Sequence, residues 1–374
     1  MTADRRFRVL HVGKYYPPYM GGIETHLQTL CGAIRNDVDV DVVVANNRHE
    51  TVDEIVDGIH VSRLATTLSV SAAPVYPGLI GHLRRSTADI VHLHLPNPFA
   101  VIAYLASGHT GTLVITYHGD IVGRRLLMPA FEPLFHRAFR RASAIIVSTE
   151  RYLETSAILQ RHRDRCRVIP YGIDVDRFMR ADESGVAAIR QRYGRRIVLA
   201  VGRLTYYKGF DWLIRAMATV KGTLLIVGDG RLRKRLQSIA RSCGVDDRVV
   251  LLTGVRDREI VSYYHAADLF ALPSTGRSES FGIVQIEAMA SGRPVVNTSL
   301  DSGVPFISLD RVTGLTVPPR DAGALAAAVT TLLDDPGLRA VYGEAGKRRA
   351  REEFSVGMMA QRTLDLYREV ATQG

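Results

Sequence analysis

Glu279-Ser280-Phe281-Gly282-Ile283-Val284-Gln285-Ile286-Glu287 sets two glutamates eight residues apart. A strand-like run, Asp268-Leu269-Phe270-Ala271-Leu272-Pro273, precedes it, and a helix stop, Ser291-Gly292-Arg293-Pro294, follows. The polar turn Ser274-Thr275-Gly276-Arg277-Ser278 joins strand to helix. Strand, turn and helix in that order form the repeating unit of a parallel α/β sheet. Ile283, Val284, Ile286 and Ala290 supply the apolar stripe that buries the helix, and Phe281-Gly282 allows close backbone approach.

A helix that starts here turns its free N–H groups and positive dipole end outward, which favours a phosphate. Glu279 is expected at that end and Glu287 about two turns further, about 12 Å along a helix. Two acceptors flanking an anion site suit a ligand with hydroxyls at both ends and a diphosphate between them, as in a nucleotide sugar. The alternative is a surface helix carrying two ordinary glutamates.

Outward from this stretch, strand-like and helical runs alternate along most of the 374 residues. The expected strands of the first half are Arg8–Val12, Val38–Ala45, Ile59–Arg63, Ile90–His94, Leu113–Tyr117, Ala144–Ser148 and Arg167–Ile169. Those of the second are Ile197–Val201, Thr223–Val227, Val249–Thr253, Leu269–Leu272, Pro294–Asn297 and Gly314–Val317. Each half therefore reads as its own doubly wound sheet, with a seam at Pro170-Tyr171-Gly172-Ile173-Asp174. The expected domains are residues 1–172 and 173–353, with an amphipathic helix over Phe354–Val370 in the last stretch, 354–374. Ligands of open α/β sheets bind beyond the carboxyl ends of the strands, so two facing sheets would put the site in the cleft between them.

Composition narrows the class. Hydrophobic content of 46% and charged content of 23% are those of a globular protein. Cys31, Cys166 and Cys243 are odd in number and lack metal-type spacing, which predicts a reducing cytoplasm. Met1 to Arg8 does not read as a signal peptide, and no apolar run reaches the ~20 residues that span a bilayer. The formal charge is +10, and Arg124–Arg167 alone holds ten arginines against four acids. Such a patch fits an anionic membrane surface or is a solvated face. Nucleic acid is the weaker fit and is not expected as a partner, because no zinc-finger, RNP or basic-zipper signature accompanies it.

Four further motifs bear on chemistry. Gly13 to Glu24 follows the first strand and lacks G-x-G-x-x-G spacing, which disfavours a nicotinamide dehydrogenase, yet Gly21-Gly22 opening a helix makes an anion-approach site. Gly202-Arg203-Leu204-Thr205-Tyr206-Tyr207-Lys208-Gly209 puts an arginine and a lysine on one loop at a strand's carboxyl end, placed to neutralise a diphosphate. Gly228-Asp229-Gly230 is a tight turn after the next strand. His118, in Thr116-Tyr117-His118-Gly119-Asp120, ends a strand of the first half. His92 and His94 share a strand face, but no third ligand stands at close spacing, so packing is expected and no metal site. Asp37, Asp39 and Asp41 read as exposed strand residues.

Together, Gly21-Gly22, His118-Gly119, Gly202-Arg203…Lys208-Gly209, Gly228-Asp229-Gly230 and Glu279…Phe281-Gly282…Glu287 resemble glycosyltransferase family 4, in the family's order and across nearly the whole chain. The resemblance implies an α/β GT-B fold: two Rossmann-like domains facing a central cleft, with the C-terminal helix crossing back. It implies a retaining, metal-independent hexosyltransferase. The first domain would hold the acceptor and the second the nucleotide-sugar donor. By the same resemblance Arg203 and Lys208 hold the diphosphate, Glu287 the ribose hydroxyls and Glu279 the donor sugar. The amides around Phe281, Gly282 and Ile283 complete the anion site, for which Gly202 and Gly228 leave room. Gly21 and Gly22 would close over the donor, and His118 would contact the transferred sugar or phosphate.

The runs around Lys208 and Glu279 are similar to bacterial mannosyl- and rhamnosyl-type members that build surface polysaccharide, which favours GDP-mannose. The acceptor would then be a glycan or polyprenyl-linked sugar at the inner membrane face, with Arg124–Arg167 as the membrane contact and no cofactor beyond the donor. A UDP-hexose donor, a nucleotide-sugar 2-epimerase and a silent nucleotide-sugar-binding scaffold remain alternatives.

Overall fold

The computed structural model describes residues 6–19, 21–70, 73–119 and 128–372. Two compact units divide it, Met1–Gly172 with Val356–Gly374, and Ile173–Ser355.

In the first unit the strands are β1 (Arg8–Val12), β2 (Asp39–Ala45), β3 (Val52–Val56), β4 (Ile59–Leu64), β5 (Leu68–Val70), β6 (Ala73–Val75), β7 (Ile90–Leu95), β8 (Thr112–Tyr117), β9 (Ala144–Val147) and β10 (Cys166–Val168). Eight form one sheet in the order β10-β9-β8-β7-β1-β2-β4-β3, parallel except for β3, and β5 and β6 pair as a separate hairpin. The order reverses direction between β1 and β7, which makes that point the topological switch. Residues alternate between the two faces. Leu10, Val12, Leu93, Leu95, Ile115 and Tyr117 lie in a core with the helices Gly78–Arg85, Pro98–Ser107 and Met128–Arg141. Val9, Ile90, Val114 and Ile146 lie on the opposite face, under the helices Gly22–Ile34 and Val356–Ala371.

Three elements depart from expectation. The edge strand β3 and the β5–β6 hairpin are additional. The terminal helix begins at Val356, because Phe354 closes the preceding helix, Pro336–Phe354. Ser355 is extended (φ −74°, ψ 151°) and bridges Ile173, while the fully buried Phe354 ring packs edge-on against Phe281 and Phe306. That packing and the extended residue end the helix where amphipathic periodicity alone would have continued it.

The second unit holds β11 (Ile197–Val201), β12 (Thr223–Val227), β13 (Val249–Leu252), β14 (Leu269–Ala271), β15 (Val295–Thr298) and β16 (Gly314–Val317). All pairings are parallel, in the order β13-β12-β11-β14-β15-β16, with the switch point between β11 and β14. The loops that leave β11 and β14 therefore meet at the sheet's carboxyl edge, the position where open sheets hold ligands.

Candidate active site

The loop after β11 turns through a short 3-10 segment, Tyr206–Lys208, and is tied to the loop after β14 by the Thr275 amide donating to the Tyr207 carbonyl at 2.7 Å. This brings Lys208 Nζ to 2.7 Å from Glu279 Oε2, with both side chains about one-tenth exposed. Ser274 Oγ, fully buried, donates to the same carboxylate oxygen at 3.0 Å. A cation and an anion removed from water in this way cost little only while paired. Each holds the other in place at the switch point.

Glycines make the approach geometrically feasible. A Cβ on Gly202 (φ +150°) would sit 3.1 Å from Lys208 Cε, and one on Gly228 (φ +154°) only 2.0 Å from the Gly202 carbonyl oxygen. The β11 and β12 loops touch backbone to backbone there. Gly282 (φ +78°) is equally constrained, its Cβ position lying 2.8 Å from Leu272 Cδ2. Gly21 caps its helix in extended conformation, whereas a Cβ at Gly22 would meet nothing within 4 Å.

The helix that was expected to begin near Glu279 runs only from Val284 to Ala290. Glu279 therefore lies on the turn before it, and Glu287 falls in its first turn. The positive φ of Gly282 and the buried Phe281 ring keep the intervening residues out of helical geometry. Ile286 and Ala290 are buried as expected, while Ile283 and Val284 are half-exposed. Beneath the helix, Gln285, Asn297 and Ser308 form a buried network, in which Asn297 Nδ2 donates to Gln285 Oε1 at 2.8 Å and to the Ser308 carbonyl at 3.1 Å. Tyr264 Oη donates to Glu287 Oε2 at 2.6 Å. Arg203 is exposed and has no ion-pair partner among the described residues.

In the first unit, strand register assembles histidines that are far apart in sequence. His11 lies opposite His92 on β1 and β7, and His94 lies opposite Thr116 on β7 and β8. The alternation that puts Val9, Ile90 and Val114 on one face puts His11, His92 and His94 on the same face, nearer the carboxyl edge. His118 Nε2 stands 3.1 Å from His94 Nδ1, and His11 Nδ1 3.0 Å from His94 Nε2. Tyr171 Oη lies 2.8 Å from His118 Nδ1, and Tyr367 Oη 2.6 Å from His92 Nδ1. His26, on the helix above, packs edge-on to His118 at 5.0 Å between ring centroids. Burial lowers every one of these imidazoles, His11 to about 3 and His26 to about 4, so the group is neutral at physiological pH. His92 and His94 thus do not lack third partners; the topology supplies them. His118, with both ring nitrogens engaged, must release one partner to touch a ligand.

Half of the basic segment's ten arginines are ion-paired. Arg124 and Arg125 lie outside the described residues. Arg151, Arg161, Arg163, Arg165 and Arg167 pair with Glu154, Glu132, Glu150, Asp164 and Glu369 at 2.7–3.8 Å. Arg137, Arg140 and Arg141, all exposed, have no ion-pair partner among the described residues and share one face of the helix Met128–Arg141. Beside them lies a cavity of about 750 Å³ lined by Glu132, His136, Arg140, Arg161, His162 and Arg165, among others. No described helix is long and apolar enough to cross a membrane.

Two family models match, "Glycosyltransferase Family 4" over residues 20–177 and "Glycosyl transferases group 1" over residues 186–349. The chain is 30% identical to the O-antigen chain mannosyltransferase C of Escherichia coli, over 96% of this chain and 98% of that one. The chain belongs to glycosyltransferase family 4. The D-rhamnosyltransferase WbpZ of Pseudomonas aeruginosa is also 30% identical to this glycosyltransferase, over 93% and 92% of the two chains. Among solved structures, sucrose-phosphate synthase from Thermosynechococcus elongatus superposes with a TM-score of 0.82 at 22% identity, over 99% and 100% of the chains. Anabaena HepE in complex with UDP gives 0.78 at 22% identity, over 97% and 100%. The fold is GT-B.

Of the residues singled out from sequence, this glycosyltransferase joins Gly202, Lys208, Gly228 and Glu279 in one contact set. Phe281, Gly282, Ile283 and Glu287 lie on the segment that follows it. Sequence reasoning missed Ser274 and Tyr264, which bond the two glutamates, Gln285 and Asn297 in the network beneath the helix, His26 and Tyr171 against His118, and His11 and Tyr367 against His94 and His92. Tyr264 shows what such a partner does. Burial raises the Glu287 carboxyl above its ordinary 4.5, while the Tyr264 hydrogen bond and the charges of Arg177 and Lys208 oppose the rise. A folded carboxyl that holds its proton more tightly than the unfolded one loses stability as pH climbs past 4.5. Glu287→Gln, which keeps an acceptor for Tyr264, is therefore expected to gain melting temperature over the parent as pH rises from 4.5 through the raised folded value, and the gain to level off above it. A difference that stays flat across that range removes the burial cost assigned to Glu287.

Proposed function

We propose that this glycosyltransferase moves mannose, with retention of configuration, from GDP-mannose to a glycan or polyprenyl-linked acceptor in surface polysaccharide synthesis. The observation that carries the proposal is the buried Lys208–Glu279 pair at the switch point of the second unit. It offers a preorganised cation to a leaving diphosphate and a carboxylate to sugar hydroxyls, side by side. The mannosyl and rhamnosyl names of the relatives at 30% identity support the choice of sugar.

In the reaction the bond between the anomeric carbon and the phosphate oxygen breaks, and both electrons leave with GDP. Lys208, Arg203 and the amides at Phe281, Gly282 and Ile283 stabilise that charge as it develops. The acceptor hydroxyl attacks the same face of the sugar, and its proton passes to the departing phosphate. Charge neutralisation by these groups leaves no step that requires a divalent metal. Glu287 takes the ribose hydroxyls. The first unit is assigned the acceptor, with His118, Gly21 and Gly22 assigned to the transferred sugar.

A thermal-shift panel with GDP, UDP, ADP and their sugar conjugates, with and without magnesium, tests the donor. A ligand that binds only the folded state raises its melting temperature by mass action, about 2.7 kcal/mol at a hundredfold excess over Kd. GDP and GDP-mannose are expected to shift the transition, magnesium or not. Stabilisation by UDP sugars alone reassigns the donor, release of an epimerised sugar without acceptor reassigns the reaction, a shift without any turnover leaves a scaffold, and no shift with any nucleotide overturns the donor site.

The Arg137-Arg140-Arg141 ridge suits a cytoplasmic enzyme resting on an anionic inner-leaflet surface, at about 1 kcal/mol for each arginine near the lipid. Anionic vesicles should retain the protein at low salt and release it at high salt. Equal retention on neutral vesicles would remove the membrane role.

A further inference from the structure

We propose that His26, His94 and His118 form a binding site for one divalent transition-metal ion of the zinc class. One ring nitrogen from each lies within 4.8 Å of the others, and the three residues are 8%, 1% and 6% exposed. A tetrahedral zinc site with bonds of about 2.0–2.1 Å separates neighbouring ligand nitrogens by about 3.3 Å. His94 Nδ1 and His118 Nε2 already stand 3.1 Å apart. The ring of His26 closes the triad by moving in by no more than about 1.5 Å, the difference between the widest separation and that ideal edge.

A second observation points to a ligand. His26 Nδ1 is buried and has no hydrogen-bond partner among the described residues. An imidazole nitrogen stripped of water and left unbonded among other imidazoles is costly unless something occupies it. The surroundings also supply what metal-binding histidines require from their other nitrogen. Tyr171 Oη engages His118 Nδ1 at 2.8 Å, and His11 Nδ1 engages His94 Nε2 at 3.0 Å, each fixing ring orientation.

Chemistry selects the ion. A set of imidazoles suits zinc, cobalt, nickel or copper, whereas calcium and magnesium need oxygen donors that the triad lacks. The neighbouring set His11, His92 and His94 is a poorer candidate. Its members are at most 1% exposed, and both His92 nitrogens are engaged, by Thr116 and Tyr367. His26 and His118, at 8% and 6% exposed, lie nearer solvent than that set. Bound there, the metal would pin the helix Gly22–Ile34 to the carboxyl edge of β7 and β8.

The test is direct binding to the full chain after chelator treatment, by zinc calorimetry and cobalt absorption spectroscopy. One equivalent of zinc is expected to bind at micromolar concentration or tighter, and cobalt to show the intense visible bands of a four-coordinate site. His26→Gln should weaken binding at least tenfold while leaving the metal-free melting temperature in place, with His94→Gln as the second variant. His136→Gln, at the His136–His162 contact, should leave binding unchanged. No tight equivalent, or one that survives His26→Gln and His94→Gln, overturns the site, as does its loss in His136→Gln. Inhibition of transfer by zinc would follow only if His118 contacts sugar as proposed above. Intact binding without inhibition would therefore count against that role of His118 and leave the metal site standing.

Discussion

Replacing Lys208 by methionine is expected to lower kcat about 10²–10³-fold, the loss that follows removal of one preorganised donor from a developing oxyanion. The same change should cost stability. Glu279, 7% exposed, would keep only the Ser274 hydroxyl of its two side-chain partners, and stranding one member of a buried ion pair costs about 3 kcal/mol. The two losses separate in a double variant. Lys208→Met with Glu279→Gln leaves no unpaired charge, so most of the stability should return while turnover stays low. Arg203, exposed and without an ion-pair partner among the described residues, gives the complementary case, since Arg203→Ala should slow turnover with little change in melting temperature. The measurements are nucleoside diphosphate release from GDP-mannose and equilibrium unfolding on the same preparations. Wild-type turnover in Lys208→Met would remove the phosphate role. A double variant as unstable as the single one would show that charge pairing is not what Lys208 contributes to the fold.

Most of the sheet framework was legible because parallel strands buried on both faces read as continuous apolar runs. Ile197–Val201 and Thr223–Val227 coincide with β11 and β12 to the residue. Val52–Val56 did not read as a strand because its side chains alternate between half-buried and exposed, with Asp53 and Glu54 inside it. Its hairpin signal was nonetheless present in Asp57-Gly58, where both residues have positive φ, as a two-residue turn between antiparallel strands requires. At the site, residue types on loops after strands were legible as phosphate and hydroxyl partners. Which of them touch was not. The Lys208–Glu279 contact joins positions 71 residues apart, and the histidine cluster joins β1, β7, the end of β8 and two helices. Such proximity is set by strand order and register, which no local pattern encodes. Glu279 was misplaced for a related reason: nothing in its own sequence shows that Gly282 adopts positive φ and delays the helix to Val284.

Gly228→Ala should damage the fold and the site together. The backbone at Gly228 has φ +154°, a region that residues with a Cβ seldom adopt, and the added carbon would fall 2.0 Å from the carbonyl oxygen of Gly202. That obstacle is backbone held by the β11–β12 ladder, with the Gly202 amide donating to the Val227 carbonyl at 2.9 Å, so no side-chain rotation relieves it. Strain of about 1–3 kcal/mol from the dihedral and a similar cost from overpacking give a loss of about 2–6 kcal/mol. For a unit of this size that corresponds to a fall of roughly 10 °C in melting temperature. Displacing Gly202 also displaces Lys208, whose Cε lies 3.1 Å from the Gly202 Cβ position, so surviving protein should bind donor more weakly. Gly22→Ala is the contrast, because its Cβ meets nothing within 4 Å and it stands at the first position of a helix. There the substitution should be neutral or stabilising by up to about 1 kcal/mol. If Gly228→Ala melts with the parent, the close approach of the β11 and β12 loops is not what glycine provides, and the geometry that seats Lys208 must have another source.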